Sequence, residues 1–346
     1  MKLKISLKKF KKSKFLLIDD FERNLLKDKK FEVFSLRKFY LRYLFKFNLK
    51  NLHLIKSIKD LYIVNILNEI QPSIIIADNH TIYLNKLKKI KPNLITIFYQ
   101  SNIIYEYDWK RYKKLYQSIK VDYFIAYNNW YAQKFKQIIN SNFNLYGSLK
   151  NNYYLCNNIK VRKSINFISE YRGKKNNIFC PFQEKAIILI NEFCIKNNYS
   201  LFISLNSTRD DKNISLSEEL RFYNDLNIKF EYVLDKNSYQ NSVNSILTII
   251  LSSNIAIELV SRKIPIFLWN IYFNFNNKYR YPHFNYNKTM YYSGLNKKTL
   301  FRKITKLINM KKITHNNVLK KDKVLYDKNN IFLCEKLYNF KEASSY

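Results

Sequence analysis

The sequence predicts an α/β protein built from two Rossmann-like, doubly wound parallel-sheet domains. Three observations carry this. Strand-like and helix-like segments alternate nearly from end to end, the pattern of parallel sheets covered by helices. The series breaks near 150–163 and starts again, which sets an N-terminal domain at 1–160 and a C-terminal domain at 161–346. Residues 246–269 read as strand, hydroxyl-rich turn, helix, strand, the repeating unit of such a sheet. A chain of 346 residues is long enough to bury two cores.

The elements follow in order. Phe15–Ile18 and Phe31–Phe34 are short apolar runs of strand character, and Ile58–Ile70 has helical spacing. Ile74–Ala77 reads as a buried strand that ends in Asp78-Asn79-His80. Leu84–Ile90 is helical, and Leu94–Tyr99 is a strand that ends in Gln100-Ser101-Asn102. A helix over Trp109–Ile119, a strand over Tyr123–Ala126, a helix over Trp130–Ile139 and a short strand over Asn144–Tyr146 lead to Gly147. The second series runs Ile165–Ile168 (strand), Glu184–Lys196 (helix), Leu201–Ser204 (strand), Ser217–Asp225 (helix) and Phe230–Val233 (strand). Ser215 and Glu218 have the spacing of a capping box before the second of those helices. Then come the strand Ile246–Leu251, the helix Ile255–Arg262, the strand Pro265–Trp269 and a late helix at Lys298–Ile308. The last helix is expected to pack back on the N-terminal domain. Phe273–Tyr292, dense in Asn, Tyr and Lys and without a period, reads as a surface loop.

Composition excludes several classes. Glycine occurs only at 147, 173 and 294, so neither a P-loop nor a Gly-rich dinucleotide fingerprint is present. Cys156, Cys180, Cys194 and Cys334 are scattered and far from His53, His80, His283 and His315, which argues against a zinc site and for reduced, cytosolic thiols. No uncharged apolar run approaches a membrane span, and Phe15–Ile18 is too short for a signal-peptide core. The expected location is cytoplasmic, peripheral to the inner face of the membrane. A formal net charge of +35 favours anionic partners. It is carried mainly by Lys spread along the chain, a composition that fits an anionic membrane surface better than base-reading nucleic-acid contacts.

The turn Ser252-Ser253-Asn254 offers hydroxyls, free backbone N–H groups and a helix start, which suits a phosphate; serines are also ordinary helix caps. Glu258, one turn later, is placed either for ribose hydroxyls or for an i,i+4 pair with Arg262.

Several motifs stand in sequence: Tyr99-Gln100-Ser101-Asn102, Val121-Asp122-Tyr123-Phe124, Gly147-Ser148-Leu149-Lys150-Asn151-Asn152, Ile168-Ser169-Glu170-Tyr171-Arg172, Ser217-Glu218 with Arg221-Phe222-Tyr223, Ser238-Tyr239, and Ser252-Ser253 through Glu258. This order resembles the bacterial surface carbohydrate (polysaccharide) biosynthesis proteins, whose layout is similar to the GT-B glycosyltransferases. The resemblance spans the chain from the strand at Ile74 to the helix ending at Ile308. It implies two domains facing a central cleft, a nucleotide-sugar donor on the second and a glycan or lipid-linked acceptor on the first. It implies a reaction without bound metal or other cofactor, the nucleotide-sugar being the substrate. The chain departs from the family pattern at Asn102, where Gly is common, and at Asn254 and Ala256, where Thr or Gly is common. Those departures leave the donor open.

Glycosyl transfer requires leaving-group stabilisation, a base and alignment. Ser169, Arg172, Ser252, Ser253, Asn254 and Glu258 are the expected donor-binding residues. Gln100, Ser101, Asn102, Gly147 and Ser148 are the expected acceptor or sugar-binding residues. His80, Asp78 and Glu106 compete for the role of base; Asp78 also has the position of a cap. The alternatives are a nucleotide-sugar epimerase and a non-catalytic surface-glycan assembly protein of the same fold. Nucleic acid is not expected as a partner.

Overall fold

Both sheets form, and every strand pairing in them is parallel. The computed structural model describes residues 4–6, 8–18, 31–34, 38–40, 43, 58–81, 88, 91–104, 108–117, 119–154, 156–173, 180–206, 215–233, 237–271, 290–310 and 326. These divide into two compact units, one of residues up to 101 with 110–153, the other of residues 102–109 with 154–326. Among the described residues no helix is long and apolar enough to cross a membrane.

In the first unit, β1 (Lys4–Ser6) and β4 (Lys38–Tyr40) make a separate parallel pair. The main sheet has β2 (Phe15–Ile18), β3 (Phe31–Phe34), β5 (Ile74–Asp78), β6 (Ile95–Tyr99), β7 (Ile119–Ala126) and β8 (Ile139–Leu145) in the order β3-β2-β5-β6-β7-β8. Its inner strands β2 and β5 are nearly continuous apolar runs, buried on both faces. Phe15, Leu17, Ile74, Ile76, Ile97, Tyr99 and Ile125 pack as one buried cluster. The edge strand β8, Ile-Asn-Ser-Asn-Phe-Asn-Leu, is largely polar and half-exposed, as an edge without a partner requires.

The helices of this unit are α1 (Ile58–Ile70), α2 (Asp108–Tyr116), α3 (Asn129–Lys136) and α4 (Leu149–Tyr153). Asn128 caps α3 by accepting the Tyr131 N–H, and Phe135 pins the helix to β7 with its ring 4.3 Å from that of Phe124. Asp122 on β7 ties two strands together: it accepts the Thr96 N–H at 2.7 Å, the Thr96 hydroxyl at 2.9 Å and the Lys88 ammonium at 2.5 Å.

The second unit contains β9 (Arg162–Ile168), β10 (Ser200–Ser204), β11 (Ser245–Ile250), β12 (Ile266–Trp269) and β13 (Tyr291–Tyr292), in the order β10-β9-β11-β12-β13. Its helices are α5 (Cys180–Lys196), α6 (Leu216–Asn224), α7 (Ser238–Val243), α8 (Ile255–Ser261) and α9 (Lys297–Asn309). The inner strand β9 is apolar at Ile165 and Phe167 but polar at the alternating positions Ser164 and Asn166. Those polar groups are satisfied beneath α7. Asn166 donates to the Ser242 hydroxyl and accepts from the Ser204 hydroxyl, to which Asn241 donates in turn. Sequence periodicity misses α7, a six-residue polar helix, because it has no apolar stripe.

Other expectations change. The helix expected over Trp130–Ile139 stops at Lys136, and the strand expected at Asn144–Tyr146 starts already at Ile139 as β8. Phe230–Val233 does not extend the sheet: only Glu231 bridges to Phe202, through Glu231 N–H to Leu201 O and Ile203 N–H to Glu231 O. The expected capping box is half formed. Ser215 accepts the Glu218 N–H, while the Glu218 carboxylate accepts the Tyr171 hydroxyl. The helix expected at Leu84–Ile90 lies outside the described residues apart from Lys88, and so does most of the loop expected over Phe273–Tyr292; its described end departs from a surface loop, since Met290 is buried and Tyr291–Tyr292 form β13 beside β12. The late helix α9 lies in the second unit, and the chain after it lies outside the described residues apart from Tyr326.

Each sheet reverses its order once, between β2 and β5 in the first and between β9 and β11 in the second. Open parallel sheets bind ligands beyond the carboxyl ends of the strands at such reversals.

Candidate functional site

At the reversal of the second sheet, Glu170 follows β9 and Ser252 follows β11. The Ser252 N–H donates to one Glu170 carboxylate oxygen at 2.6 Å, and the Ser252 hydroxyl donates to the other at 2.5 Å. The Ser253 N–H donates to the same carboxylate. Desolvation by burial pushes the Glu170 carboxyl above the ordinary range, and the donors of Ser252, the nearby Arg172 charge and the Ser253 N–H offset this only in part. The turn expected to face a phosphate thus already surrounds an acidic group with hydroxyl and amide donors.

The neighbouring residues are placed as follows. Arg172 is exposed and close enough to act on Glu170 electrostatically. Ser169 lies inward: its hydroxyl donates to buried Glu219 at 2.5 Å and accepts from Tyr223, to which Gln183 also donates. Asn254 caps α8 without a side-chain bond, and its amide donates to Asn102 Oδ1 at 2.8 Å. Glu258 is buried in α8 and accepts the Tyr239 hydroxyl at 2.5 Å. The Arg262 guanidinium reaches Tyr154 O and Cys156 Sγ, and it lies over the rings of Tyr239 and Tyr326.

In the first unit the carboxyl ends of β5 and β6 lie side by side. Asp78 caps the turn after β5, its Oδ1 accepting the N–H groups of His80 and Thr81. Asn79, fully buried, accepts the Ser101 N–H and hydroxyl on Oδ1 and donates from Nδ2 to the Tyr112 hydroxyl. That hydroxyl lies 3.0 Å from Nδ1 of the exposed His80 ring. Gln100 is buried and accepts the Tyr127 N–H, linking the ends of β6 and β7. Gly147 adopts φ 74°, a left-handed conformation that glycine takes without strain, at the entry to α4. Ser148 follows, and its hydroxyl accepts the Asn151 N–H.

The structure therefore brings Asp78, His80, Gln100 and Ser101 to one sheet end, and Ser252, Ser253 and Arg172 around Glu170 at another. Glu106 lies outside the described residues. Among the described residues no group of three or more His, Cys, Asp or Glu side chains is arranged to hold a metal ion.

No protein-family model and no curated protein sequence matches the chain. Solved structures do match over nearly its whole length. An S. aureus MnaA solved with UDP aligns at 12% identity and TM-score 0.54, over 95% of this chain and 96% of that one. A UDP-GlcNAc 2-epimerase from Neisseria meningitidis bound to UDP-GlcNAc aligns at 10% identity and TM-score 0.50, over 95% and 99%. A sucrose-phosphate synthase from Thermosynechococcus elongatus aligns at 10% identity and TM-score 0.50, over 96% and 100%. At such identities the likeness is one of fold. The chain has the GT-B-like architecture of two parallel-sheet α/β domains.

Glu170, Asn79, Tyr112 and Tyr239 were not among the residues singled out by sequence. Glu170 and Asn79 did carry a signal: Asn79 stands directly after a strand that borders a reversal, and Glu170 two residues after one, within the Ser169-Glu170 motif. Tyr239 stood in the Ser238-Tyr239 motif without an assigned role, and Tyr112 carried no signal, being one among 29 tyrosines.

Proposed function

We propose that the chain is a GT-B-type glycosyltransferase of surface polysaccharide or lipopolysaccharide biosynthesis. It takes a nucleotide-activated sugar on the second domain and a glycan or lipid-linked acceptor on the first, at an anionic membrane surface. One observation carries the reading: the Ser252 hydroxyl and the N–H groups of Ser252 and Ser253 converge on two carboxylate oxygens at the reversal of the second sheet. The same donors suit phosphate oxygens, and Arg172 adds a cation beside them. In support, structures sharing the fold include proteins solved with UDP and UDP-GlcNAc. The leaving phosphate is met by these donors, Glu258 or its surroundings meet the ribose, and Asp78, His80 and Glu106 are the candidates for the base.

The test is a thermal-shift panel of CMP-, UDP-, GDP-, TDP- and CDP-linked sugars, with and without EDTA. A donor at about a hundred times its Kd adds ~2.7 kcal/mol of stability. One nucleotide class is expected to raise the melting temperature, without sensitivity to EDTA, and Ser252→Ala to reduce that shift. No shift with any nucleotide overturns the reading in favour of a non-catalytic assembly protein.

A nucleotide-sugar epimerase is the second reading, favoured by Glu170, a carboxyl at the end of β9 that burial pushes above its ordinary range, the direction that suits a group exchanging protons with a substrate. The binding donor, incubated with protein and no acceptor, distinguishes the two by NMR. A new sugar isomer means epimerase; an unchanged donor favours the transferase.

A further inference from the structure

We propose that the amino edge of the second sheet, where the chain leaves α5 and enters β9, docks on an anionic lipid bilayer. Its aliphatic side chains enter the interface, and its cations meet the lipid phosphates.

Exposed apolar groups and cations coincide at this edge. Among the described residues the most exposed large hydrophobic side chains are Val161 and Ile195, each 63% exposed, and Ile159, 58% exposed. Topology collects them. Strand β9 runs parallel to β10 with Ser164 opposite Ser200, so the chain before each strand reaches one edge. The Lys163 ammonium lies 5.4 Å from the Tyr199 ring centroid across that edge, and Ile195 stands in the last turn of α5, just before Tyr199. Lys160, Arg162, Lys163 and Lys196 are exposed among these side chains. Residues 156–164 and 194–200 contain no acid, and Glu192, one turn before Lys196, is paired with Lys297.

The backbone that carries them is fixed. The Asn157 N–H donates to Gln240 Oε1 at 3.1 Å, the Lys160 N–H to Asn244 Oδ1 at 3.2 Å and the Arg162 N–H to Asn244 O at 2.8 Å. At the end of α5, Asn198 takes φ 53° and the Tyr199 N–H returns to Cys194 O at 2.9 Å. A surface held in this way loses little backbone freedom on binding.

Single exposed aliphatic residues are ordinary, but a cluster ringed by charge marks an interaction surface. The charge selects an anionic partner. A second copy docked by a two-fold axis would set these cations against the same cations. Aliphatic side chains offer nucleic-acid bases no stacking face. An anionic bilayer accepts both components, the apolar groups at its acyl boundary and the cations at its headgroups. The candidate site stays clear of the contact: Glu170 follows the carboxyl end of β9, seven residues and roughly 20 Å from the docking edge. The inference rests on the membrane location in the proposed function, and not on the transfer reaction.

The experiment is co-sedimentation of the full chain with vesicles of phosphatidylserine and phosphatidylcholine at about 0.1 M salt, where the Debye length is ~10 Å. Ile159→Ser, Val161→Ser and Ile195→Ser, combined, are expected to lower the partition coefficient by about tenfold or more, what burial of one isoleucine supplies. Lys160→Ala with Lys163→Ala is expected to lower it by about 25-fold, about fivefold per cation. Both variants should keep the wild-type melting temperature, since all five side chains are exposed. Unchanged vesicle binding in the folded serine variant overturns the proposal. So does an equal loss on duplex DNA and on vesicles in both variants, which assigns the edge to nucleic acid. A wild-type dimer that the serine variant dissociates overturns it in favour of a second copy. The nucleotide panel contains no vesicles, so docking without a nucleotide shift counts against the transferase alone, and a nucleotide shift without docking counts against this surface alone.

Discussion

Glu170 puts an acid where a substrate acid is expected, which makes it the most informative side chain to change. Its folded-state pKa is raised by burial, so between the unfolded and folded values the native protein binds more protons than the unfolded chain. Stability on this account falls as pH rises through that window. Glu170→Gln keeps an acceptor for the Ser252 N–H and removes the titration. The variant is expected to match or exceed the wild type in melting temperature near neutral pH, and to lose that advantage below the ordinary Glu pKa of ~4.3. A variant less stable than the wild type across this range counts against a strained carboxyl. Glu258 behaves differently. Burial and the Tyr239 hydroxyl give it a structural task whatever it binds. Glu258→Ala strands that hydroxyl and is expected to cost about 1–3 kcal/mol in denaturant unfolding, whereas Glu258→Gln retains an acceptor and costs less. Equal losses in the two variants exclude the hydrogen bond as the cause. The contrast shows what single residues reveal in advance. Ser252 and Glu258 were legible from residue type after a strand and in a helix. Their partners Glu170 and Tyr239 were not, because they lie 82 and 19 positions away and pairing at that range is made by the fold.

Strands with continuous apolar runs, such as β5 and β11, were readable because burial on both faces leaves no alternative composition. The misread stretch at Phe230–Val233 has strand-like residues but lies outside edge strand β10 and makes a single bridge, a matter of where the sheet stops. How neighbouring strands are fastened was equally hidden. The Asp122 contact joins β7 to β6 and to Lys88, 34 residues away. Burial opposes the charge on Asp122, but the Lys88 ammonium and the Thr96 N–H and hydroxyl outweigh it and hold the carboxyl below its usual range. A depressed folded-state pKa stabilises above the unfolded value of ~3.9, and the contribution fades as pH falls through the folded value. Asp122→Asn is therefore expected to lose about 2 kcal/mol at pH 7, the scale of hydrogen bonds to a charged group. The gap to the wild type should close in unfolding titrations carried below about pH 4. A gap that persists undiminished in acid points to a packing defect in place of the charge.

At the scale of the molecule the net charge of +35 outweighs every local ion pair, and no pairing of elements expresses it. Part of it is concentrated on α2, where Lys110, Arg111, Lys113 and Lys114 are exposed beside Leu115, itself 52% exposed, while Tyr112 and Tyr116 anchor the inner face. Exposed cations next to an apolar side chain match the interface of an anionic bilayer, where each Lys or Arg contributes about 1 kcal/mol. Binding to vesicles with phosphatidylserine is expected at low salt and should fall steeply toward 1 M, as the Debye length shrinks from ~10 Å at 0.1 M to ~3 Å. Neutral phosphatidylcholine vesicles should not retain the protein. Lys113→Glu with Lys114→Glu should weaken vesicle binding and leave the melting temperature unchanged, since both side chains are exposed and neither belongs to the candidate site. Duplex DNA run beside the vesicles separates a bilayer preference from unspecific attraction. Equal retention on both, lost together by about 0.2 M salt, reduces the charge to a diffuse field and removes the membrane from the proposed function. Stronger retention on the vesicles, weakened by the α2 variant, places the protein where a lipid-linked acceptor would be.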